Sequence, residues 1–486
     1  MKSIIQYILV SFLVTNISTC FSQVNYLETS AEMLYSKATN SVLHINYNEQ
    51  ENMLGHNSKP WETNTYKIKG ELWINKMQFI KRDSLTTDRD RQYTSKTDII
   101  NFDVVHLDYG DQDIKSVSFN FLTEKLIHTA RYSPLTILEY LMKNDLDIHI
   151  KLANKIIIYS TTINESLTEV FINTNTNLVE KITYIDYHEL YGDVTTTFHY
   201  SEYHIDDQIS FPQKIRIEKI NGNVVDEIEI TASNITSTIP QLLTKPKDYK
   251  ITEDEEQNKY ELKTTKYNDF IYFIDLIHTD DKVMVVEFED CVLVAEAPIN
   301  SKNGELIIAE VENIIPNKPI KYFVFGHHHP HYLGGLRAFV NKEATILCTA
   351  MSKDYVEFIA NNSHSLQPDN LEIEPKPLKT QIIADSLVLG TKRKMEIHFI
   401  GEKSKHTIDY LIYYFPEEQL LFQDDLCWIP KNGEITKAGA RQLGLYNSIK
   451  ALNLKVDTII QSWPIESHKV KTIIPFSDLE KSVLQN

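Results

Sequence analysis

The chain has 486 residues, of which 42% are hydrophobic and 24% are charged, so it has the composition of a soluble globular protein and the length for two or more domains. Its 67 acidic residues outnumber its 49 lysines and arginines and give a formal net charge of −18. This acidity argues against nucleic acid and anionic lipid as partners, because like charges repel.

The first 22 residues have the pattern of an export signal. Lys2 supplies a positive charge, and residues 4–14 form an apolar core that is too short to span a bilayer stably. Small residues before Gln23 predict cleavage there, and the alternative is a lipoprotein acylated at Cys20. A cleaved signal predicts a periplasmic or secreted protein, and no later stretch has the length and apolarity of a transmembrane helix.

Residues 23–245 are predicted to form a β-rich N-terminal domain. Apolar and polar residues alternate, as in half-buried strands, at residues 66–74, 195–200, 214–220 and 225–230. Asn221-Gly222 between the last two segments predicts a hairpin turn, and the apolar spacing over residues 134–143 predicts a helix. The simplest arrangement is a curved antiparallel sheet with one or two helices lying on it.

Residues 246–262 are charged and weakly apolar, which predicts a linker before a second domain at residues 263–486. In that domain, apolar strands first pair as hairpins and then alternate with helices. Strands are predicted at 271–274, 283–288, 292–295, 345–348, 394–400, 410–415, 420–423 and 458–460, and helices at 305–314, 336–340, 352–360 and 436–452. This order predicts two β-sheets sandwiched by helices, an α/β arrangement.

Three cysteines remain after the predicted cleavage: Cys291, Cys348 and Cys427. An odd and sparse set does not make a disulfide framework, and each lies in an apolar context. We therefore expect buried free thiols. Cys427 follows Asp425 by two residues, so on a strand it would point the same way and could also reach a pocket.

A histidine tract follows the apolar run at residues 322–325 and places four imidazoles in the five positions 327–331. An apolar run that ends in ligand-type side chains predicts a buried strand whose carboxyl end faces a pocket. His327 and His329 are two residues apart, so on an extended backbone both point to one side and could bind one metal ion. His328 points the opposite way and is predicted to pack or to support its neighbours.

Two further segments offer metal ligands at predicted strand ends, His406-Thr407-Ile408-Asp409 and Asp424-Asp425. With the histidine tract, and in this order, they resemble the motifs of the metallo-β-lactamase fold superfamily. The first motif of that superfamily is His-x-His-x-Asp-His-x-Gly-Gly, and its two final glycines align with Gly334-Gly335. Its second motif, a His before Thr or Ser, matches His406, and its third, a Gly-Asp after the next strand, matches Asp424-Asp425.

The resemblance extends beyond the ligands over roughly residues 180–480. The segments 296–300, 318–322 and 334–340 resemble an exported bacterial branch of the superfamily that also has an N-terminal β domain. Segments 191–194 and 209–212 resemble pieces of that domain. The resemblance implies an α/β fold in which an αββα metallo-β-lactamase sandwich is preceded by a mostly antiparallel β domain.

The resemblance implies a first zinc site formed by His327, His329 and His406. For the second site the chain departs from the family pattern. The ligand Asp is replaced by His331 and the adjacent His by Tyr332, while Asp425 keeps the bridging position.

The final ligand of the family, a His after the last core strand, is also missing, because Trp463-Pro464 stands there. His468 would restore it only if the loop were rearranged. The first metal site is therefore predicted to be intact and the second damaged.

These residues predict an exported zinc-dependent hydrolase that acts on a small molecule with a metal-bound hydroxide and one firmly held zinc ion. His331 and Asp425 are the predicted catalytic residues and additional metal ligands. The unperturbed pKa of imidazole suits His331 to act as a general base, and Asp425 would hold the water from the other side.

A protein of another class is also compatible with the sequence. The substitutions at His331, Tyr332 and Trp463 could mark a pseudoenzyme that keeps the fold as a binding or scaffold module. The N-terminal domain could present substrate, hold a partner or mediate formation of a homodimer. The bond that is hydrolysed is not predicted, because function depends on the site and not on the fold.

Overall fold

The computed structural model describes residues 25–35, 40–87, 91–107, 116–163, 165–205, 209–245, 247, 250–252 and 260–485. The predicted signal peptide, with Cys20, lies outside these residues. So do residues 246, 248–249 and 253–259 of the predicted linker. Within that linker, Lys250–Thr252 forms a short strand, and Leu262 already begins the first strand of the second domain.

The N-terminal domain is built on one twelve-stranded antiparallel sheet. Its strands, with the separate short strand β6, are β1 Val42–Leu54, β2 Thr63–Asn75, β3 Gln78–Thr86, β4 Gln92–Ile100, β5 Asp103–Leu107, β6 Ser116–Ser118, β7 His149–Ala153, β8 Ile156–Ile163, β9 Ser166–Asn173, β10 Val179–His188, β11 Gly192–Ile205, β12 Ser210–Lys219 and β13 Val224–Thr236. The order in the sheet is β5-β4-β3-β2-β1-β13-β12-β11-β10-β9-β8-β7. The predicted Asn221-Gly222 hairpin joins β12 to β13, and both turn residues have positive φ angles.

Helices pack against one face of this sheet. They are α1 Tyr26–Met33, α2 Phe119–His128, a 3-10 turn at Thr129–Arg131 and α3 Leu135–Lys143. Leu135, Leu138 and Leu141 of α3 share one side of the helix, are buried, and join a core with strand residues such as Ile182 and Phe198. The sequence predicted α3, whereas α1 and α2 carry a weaker apolar pattern and were not predicted.

The second domain contains two mixed sheets and seven helices among the described residues. After the linker strand β14 Lys250–Thr252, which pairs with β6, its elements are β15 Leu262–Lys266, β16 Ile271–Leu276, β17 Asp281–Glu287, β18 Val292–Ala295, α4 Ser301–Ile314, β19 Ile320–Val324, α5 Pro330–Leu333, α6 Leu336–Asn341, β20 Thr345–Cys348, α7 Lys353–Asn361, α8 Asn370–Ile373, β21 Lys379–Ile382, β22 Ser386–Leu389, β23 Met395–Phe399, a 3-10 turn Gly401–Ser404, β24 Leu411–Phe415, β25 Leu420–Gln423, α9 Ala440–Ala451, β26 Thr458–Gln461, β27 Ile473–Pro475 and α10 Phe476–Val483. One sheet has the order β15-β16-β17-β18-β19-β20-β21 and the other β22-β23-β24-β25-β26-β27.

The two sheets face each other across an apolar core, and helices cover their outer faces. Phe273 and Met284 of the first sheet meet Tyr413 and Phe422 of the second. Helices α4, α6 and α7 pack on the first sheet, and α9 and α10 pack on the second. Each fully buried large apolar side chain contributes roughly 1.5–3 kcal/mol to folding. The predicted α/β fold, an αββα sandwich preceded by an antiparallel β domain, is confirmed.

The strand directions place the histidine tract and the acidic pair at strand ends. β18, β19 and β20 run parallel in one sheet, and β25 and β26 run parallel in the other. Residues 325–329 follow the carboxyl end of β19, and Asp424-Asp425 follow that of β25. The three cysteines are buried and free, as predicted. None of the helices in the described ranges has the length and apolarity to cross a membrane.

The two domains meet at the segment Tyr191–Asp193. The Asp193 carboxylate accepts hydrogen bonds from the backbone of Ser365 and Leu366 at 2.8 and 3.1 Å, and the Asp193 N–H donates to Ser363 O at 2.7 Å. Gly192 has a φ of +73°, and a Cβ there would lie 2.2 Å from Ser363 O. Because only glycine fits this contact, the segment is specialised to dock the N-terminal domain on the sandwich.

Candidate metal centre

Three imidazoles converge at one end of the sandwich. His327 and His329 come from the loop after β19, and His406 comes from the segment between the 3-10 turn and β24. The ring centroids of His327 and His329 lie 4.8 and 5.0 Å from that of His406, and one ring nitrogen from each residue lies within 4.8 Å of the others. All three rings are largely removed from solvent.

Hydrogen bonds on the far side of two rings determine which nitrogens face the centre. His327 Nδ1 lies 2.6 Å from Asp424 Oδ2, and His329 Nε2 lies 3.0 Å from the backbone oxygen of Asn57. The Asn57 carbonyl can only accept, so His329 Nε2 carries its proton, and an ionised Asp424 accepts from His327 Nδ1. The nitrogens left with lone pairs, His327 Nε2 and His329 Nδ1, are 2.9 Å apart. The third, His406 Nε2, is buried and lies 3.2 Å from the Asp425 carboxylate without a well-aligned hydrogen bond.

The charge state of the rings also suits a metal. Burial, together with the neighbouring imidazoles, holds the pKa of His327 well below its ordinary value. The same causes lower the pKa of His329 to about 3. Both rings are therefore neutral at pH 7, and the neutral imidazole is the form that binds a metal ion.

Two buried carboxyl groups lie behind His327. Glu296 and Asp424 are both fully buried, and Tyr413 donates its hydroxyl to Glu296 at 2.9 Å. Burial raises the pKa of Glu296 to about 8, and burial with the nearby charge of Glu296 raises that of Asp424. A Cβ on Gly326 would lie 2.1 Å from Asp424 Oδ2, so glycine makes room for this contact. These shifts favour the protonated carboxyl groups, and a cation bound by the imidazoles would favour their ionised forms instead.

His328 has the supporting position that its alternation predicts. Its ring Nδ1 and its backbone N–H both lie 3.0 Å from the Asp409 carboxylate, which also accepts from the Ser352 hydroxyl at 2.7 Å. The pKa of Asp409 is lowered, because these hydrogen bonds outweigh its burial. Asp409 therefore holds the middle of the histidine tract while His327 and His329 point to the other side.

His331 lies outside the three-imidazole group. Its Nδ1 is 3.0 and 3.1 Å from the two carboxylate oxygens of Asp281, and its ring packs against Trp463. Burial alone would lower the pKa of His331, but its hydrogen bond to Asp281 raises it. Asp281 begins β17, 50 residues before His331 in the chain, so no local sequence signal indicated this pair.

Asp425 lies next to the group without being a member of it. Its Oδ2 is 3.2 Å from His406 Nε2, and it accepts hydrogen bonds from Arg441 at 2.8 Å and Tyr410 at 3.3 Å. Cys427 is instead packed behind the second sheet against residues such as Leu445, and burial raises its pKa.

Aromatic residues surround the positions at which the sequence departs from the predicted second metal site. The ring of Tyr332 is buried with its centroid 4.4 Å from that of His327. Trp463 lies between His331 and His468, with ring centroids at 5.4 and 5.1 Å. His468 is exposed and packs on Trp428.

The N-terminal domain contributes to the centre, which the sequence did not predict. His56 and Asn57 lie between β1 and β2, and the His56 ring is 4.9 Å from that of His329. Asn57 and His329 are 272 residues apart, and a backbone carbonyl leaves no sequence signal. An open cavity of about 620 Å³ extends from this point between the domains, with His328, His329 and His331 on one wall.

Several solved structures resemble this chain. A metallo-β-lactamase from Pontibacter korlensis is 16% identical over 46% of this chain and 100% of its own, with a TM-score of 0.34. One from Pseudomonas aeruginosa, in its mono-zinc form, is 16% identical over 47% and 96%, with a TM-score of 0.35. One from Hirschia baltica is 14% identical over 46% and 95%, with a TM-score of 0.32. No family model and no curated protein matches the chain.

Proposed function

We propose that the protein is a metal-dependent hydrolase that holds one zinc ion between His327, His329 and His406. The observation that carries the proposal is the convergence of three ring nitrogens on one point. Two of them have their opposite nitrogen held in a hydrogen bond, and the third, His406 Nε2, is buried 3.2 Å from the Asp425 carboxylate without a well-aligned hydrogen bond. A buried polar atom that is poorly hydrogen-bonded costs free energy, and a metal ion would satisfy it.

The distances fit zinc. With zinc–nitrogen bonds of about 2.0–2.1 Å in tetrahedral geometry, two ligand nitrogens are about 3.3 Å apart. Here His327 Nε2 and His329 Nδ1 are 2.9 Å apart, and all three nitrogens lie within 4.8 Å of one another. Small side-chain rotations would therefore bring them to zinc-binding distances.

A bound zinc ion would polarise a carbonyl or phosphoryl oxygen and make a water molecule acidic. The chain's own residues would manage the proton. His331 lines the cavity and has its Nδ1 proton held by Asp281, which leaves Nε2 to take a proton from the attacking water. The water oxygen forms a bond to the electrophilic atom, the bond to the leaving group breaks, and His331 Nε2 returns the proton to the leaving group.

The substrate is a small molecule with an apolar part. The cavity has the volume of a typical ligand site, about 620 Å³. Much of its wall is apolar, with Met53, Leu54, Trp61, Leu190, Ile220 and Ile299 among its residues. Esters, amides and thioesters with an apolar acyl group fit this lining better than highly charged compounds.

Metal analysis tests the proposal directly. Purified wild-type protein is expected to hold one equivalent of zinc, and His327→Ala and His406→Ala are each expected to hold none. His398→Ala is the matched control, because His398 lies on β23 and pairs with Glu396 at 2.9 Å, outside the three-imidazole group. Zinc that is absent from the wild type, or retained by His327→Ala, would overturn the proposal.

A catalytically silent binding protein is the second candidate. Tyr332 packed on His327 and Trp463 packed on His331 favour it, because aromatic rings occupy the side of the second metal. The two functions separate on a panel of chromogenic esters, thioesters and lactams. Hydrolysis that zinc restores to chelated wild type, and that His329→Ala lacks, supports the enzyme, whereas zinc binding without turnover supports the second candidate.

A further inference from the structure

A loop of the N-terminal domain reaches the metal centre and contacts both ligand segments. This loop, residues 55–62, joins β1 to β2 and is called the β1–β2 loop below. The Asn57 carbonyl accepts from His329 Nε2 at 3.0 Å, and the Ser58 carbonyl accepts from the Ile408 N–H at 2.9 Å. Ile408 follows His406 by two residues, so a single loop holds the two parts of the chain that supply the ligands.

The contact with Asn57 decides which nitrogen His329 offers to a metal. A backbone carbonyl has no proton to donate, so His329 Nε2 must carry the proton in this hydrogen bond. In the neutral ring, Nδ1 is then the lone-pair nitrogen, and it is Nδ1 that faces His327 Nε2. Outer hydrogen bonds of this kind fix the tautomer and the orientation of metal-binding imidazoles.

Glu62 makes the β1–β2 loop rigid. Its Oε2 accepts from the Ser58 N–H at 2.9 Å, the Ser58 hydroxyl at 2.7 Å and the Lys59 N–H at 3.1 Å. The hydrogen bond from the Ser58 hydroxyl is the main reason that the pKa of Glu62 is lowered. Asn57 Nδ2 also donates to the Glu62 carbonyl at 2.6 Å. The Glu62 side chain thus holds Ser58, and the Glu62 backbone carbonyl holds Asn57, the two residues whose carbonyls contact the sandwich.

Trp61 anchors the same loop on the other domain. Its ring lies 4.9 Å from the rings of Tyr355 and Phe358 on α7, and 5.4 Å from that of Tyr191. Tyr191 and Tyr355 join their hydroxyls at 2.7 Å beneath it. Aromatic contacts of this kind contribute roughly 0.5–1.5 kcal/mol each beyond burial. The loop is therefore held in two ways, by the hydrogen bonds of Glu62 within the loop and by the packing of Trp61 on the sandwich.

We propose that the β1–β2 loop is a functional part of the metal centre, in which the Asn57 carbonyl is the positioning group for His329. The inference rests on the proposed function, because it presumes that zinc binds the three imidazoles. It also assigns a role to the N-terminal domain: that domain completes the hydrogen bonding of a ligand and forms the wall of the cavity opposite the imidazoles.

Zinc affinity of Glu62 variants tests the inference. Glu62→Ala removes the three hydrogen bonds to Ser58 and Lys59 without touching a ligand, and we expect zinc affinity to fall about 10-fold, at the lower end of the effect of losing an outer partner. Glu62→Gln keeps an acceptor oxygen and is expected to restore most of the affinity. Ser58→Ala removes one of the three hydrogen bonds to Glu62 Oε2 and is expected to lie between the wild type and Glu62→Ala. Affinity is measured by competition with a chromogenic chelator on the full chain.

Asn173→Ala is the matched control. The Asn173 carboxamide holds the turn between β9 and β10 by accepting from the Asn175 N–H at 2.9 Å, and that turn is not in contact with the imidazoles. We expect metal-free Asn173→Ala and Glu62→Ala to unfold at similar temperatures, with only Glu62→Ala losing zinc affinity.

The outcomes are separable. Wild-type affinity in both Glu62→Ala and Ser58→Ala, or an equal loss in Asn173→Ala, would overturn the role of the loop. A wild type that binds no zinc overturns the proposed function instead. The spectrum of the cobalt-substituted protein gives a second readout: a changed ligand field in Glu62→Ala supports a displaced His329, and an unchanged one opposes it.

Discussion

The three-imidazole group and the His331 side of the same pocket contain the same type of residue and differ in what holds it. In the three-imidazole group, His327 Nδ1 and His329 Nε2 form hydrogen bonds with Asp424 and Asn57. The other two nitrogens of these rings face one another. On the other side, the outer nitrogen of His331 binds Asp281, but the ring faces Trp463. In both places, a hydrogen bond at one ring nitrogen leaves the other ring nitrogen facing the pocket. Only in the three-imidazole group do several such nitrogens lie close together.

This difference separates two functions within one histidine tract. His327 and His329 are neutral rings suited to bind a metal, because burial lowers their pKa values. His331 has a carboxylate partner that raises its pKa, which suits a residue that accepts and returns a proton. We therefore expect alanine substitutions in the three-imidazole group to lower the zinc content, and His331→Ala to lower turnover without loss of zinc.

The largest effect is expected from a matched pair of histidine variants. His327→Ala should lose its zinc, because it removes one of three convergent nitrogens, while His331→Ala should keep one equivalent. Elemental analysis after dialysis measures both. Equal zinc loss in the two variants would show that His331 is a ligand and would erase the difference between the two sides.

Catalytic activity should be low in His331→Ala although this variant keeps its zinc. If His331 moves the proton, turnover of a substrate found on the ester panel should fall about 10²- to 10⁴-fold with zinc retained. His398→Ala should leave turnover unchanged, because its side chain pairs with Glu396 on β23. Full turnover in His331→Ala would exclude it as the base.

The carboxyl partners behind the two sides should differ by a smaller amount. Asp424→Ala removes the acceptor of His327 Nδ1, and zinc affinity should fall about 10- to 100-fold. Asp281→Ala removes the acceptor of His331 Nδ1 and should leave zinc affinity within about threefold of the wild type, since no outer partner of a ligand is lost. Chelator competition measures both, and a larger loss in Asp281→Ala would contradict the assignment.

The smallest effect is expected for an ion pair that contributes to the stability of the fold and not to the metal centre. Its contribution distinguishes unfolding in acid from loss of metal in acid. Arg337 donates to both oxygens of Asp369, at 2.6 and 3.0 Å. Burial alone would raise the pKa of Asp369, but Arg337 outweighs it and lowers the pKa to about 2. A lowered carboxyl pKa stabilises the fold above about pH 4, and this stability is lost as the pH falls toward 2.

Urea unfolding of chelator-treated protein measures that contribution. Between about pH 5 and pH 2 the free energy of unfolding should fall by about 1–2 kcal/mol more in the wild type than in Asp369→Asn, with allowance for solvent screening. Equal falls in the two proteins would show that the ion pair is not the source of the acid sensitivity.

Much of the fold could be predicted from the chain alone. Period-two alternation and the Asn221-Gly222 turn predicted the hairpin of β12 and β13, and the apolar stripe of residues 134–143 predicted α3. Helix α9 was predicted at 436–452 and begins four residues later, at Ala440. Strands β21 and β22 were not predicted, because their residues are largely exposed and show little apolar pattern.

Some residues of the candidate site could also be predicted from the sequence, and others could not. His327, His329 and His406 were predicted as one group from their spacing and their resemblance to a known motif, and the structure brings them together. Asp281, Asn57 and Glu62 were not predicted, because their contacts join distant parts of the chain. Asp281 resembles any other acidic residue at the start of a strand, and Asn57 acts through its backbone, which every residue has.

The sequence by itself determined the α/β layering and the pairing of His327 with His329, because strand periodicity, helix stripes and ligand spacing are properties of neighbouring residues. His406 was added to that pair by the resemblance to a known motif. Tertiary structure alone decided which imidazole nitrogens converge and what holds them. A tautomer depends on the acceptor at the back of the ring, and for His329 that acceptor is a carbonyl of the other domain. Residue types therefore identify candidate ligands, and the fold selects among them by placing their hydrogen-bond partners.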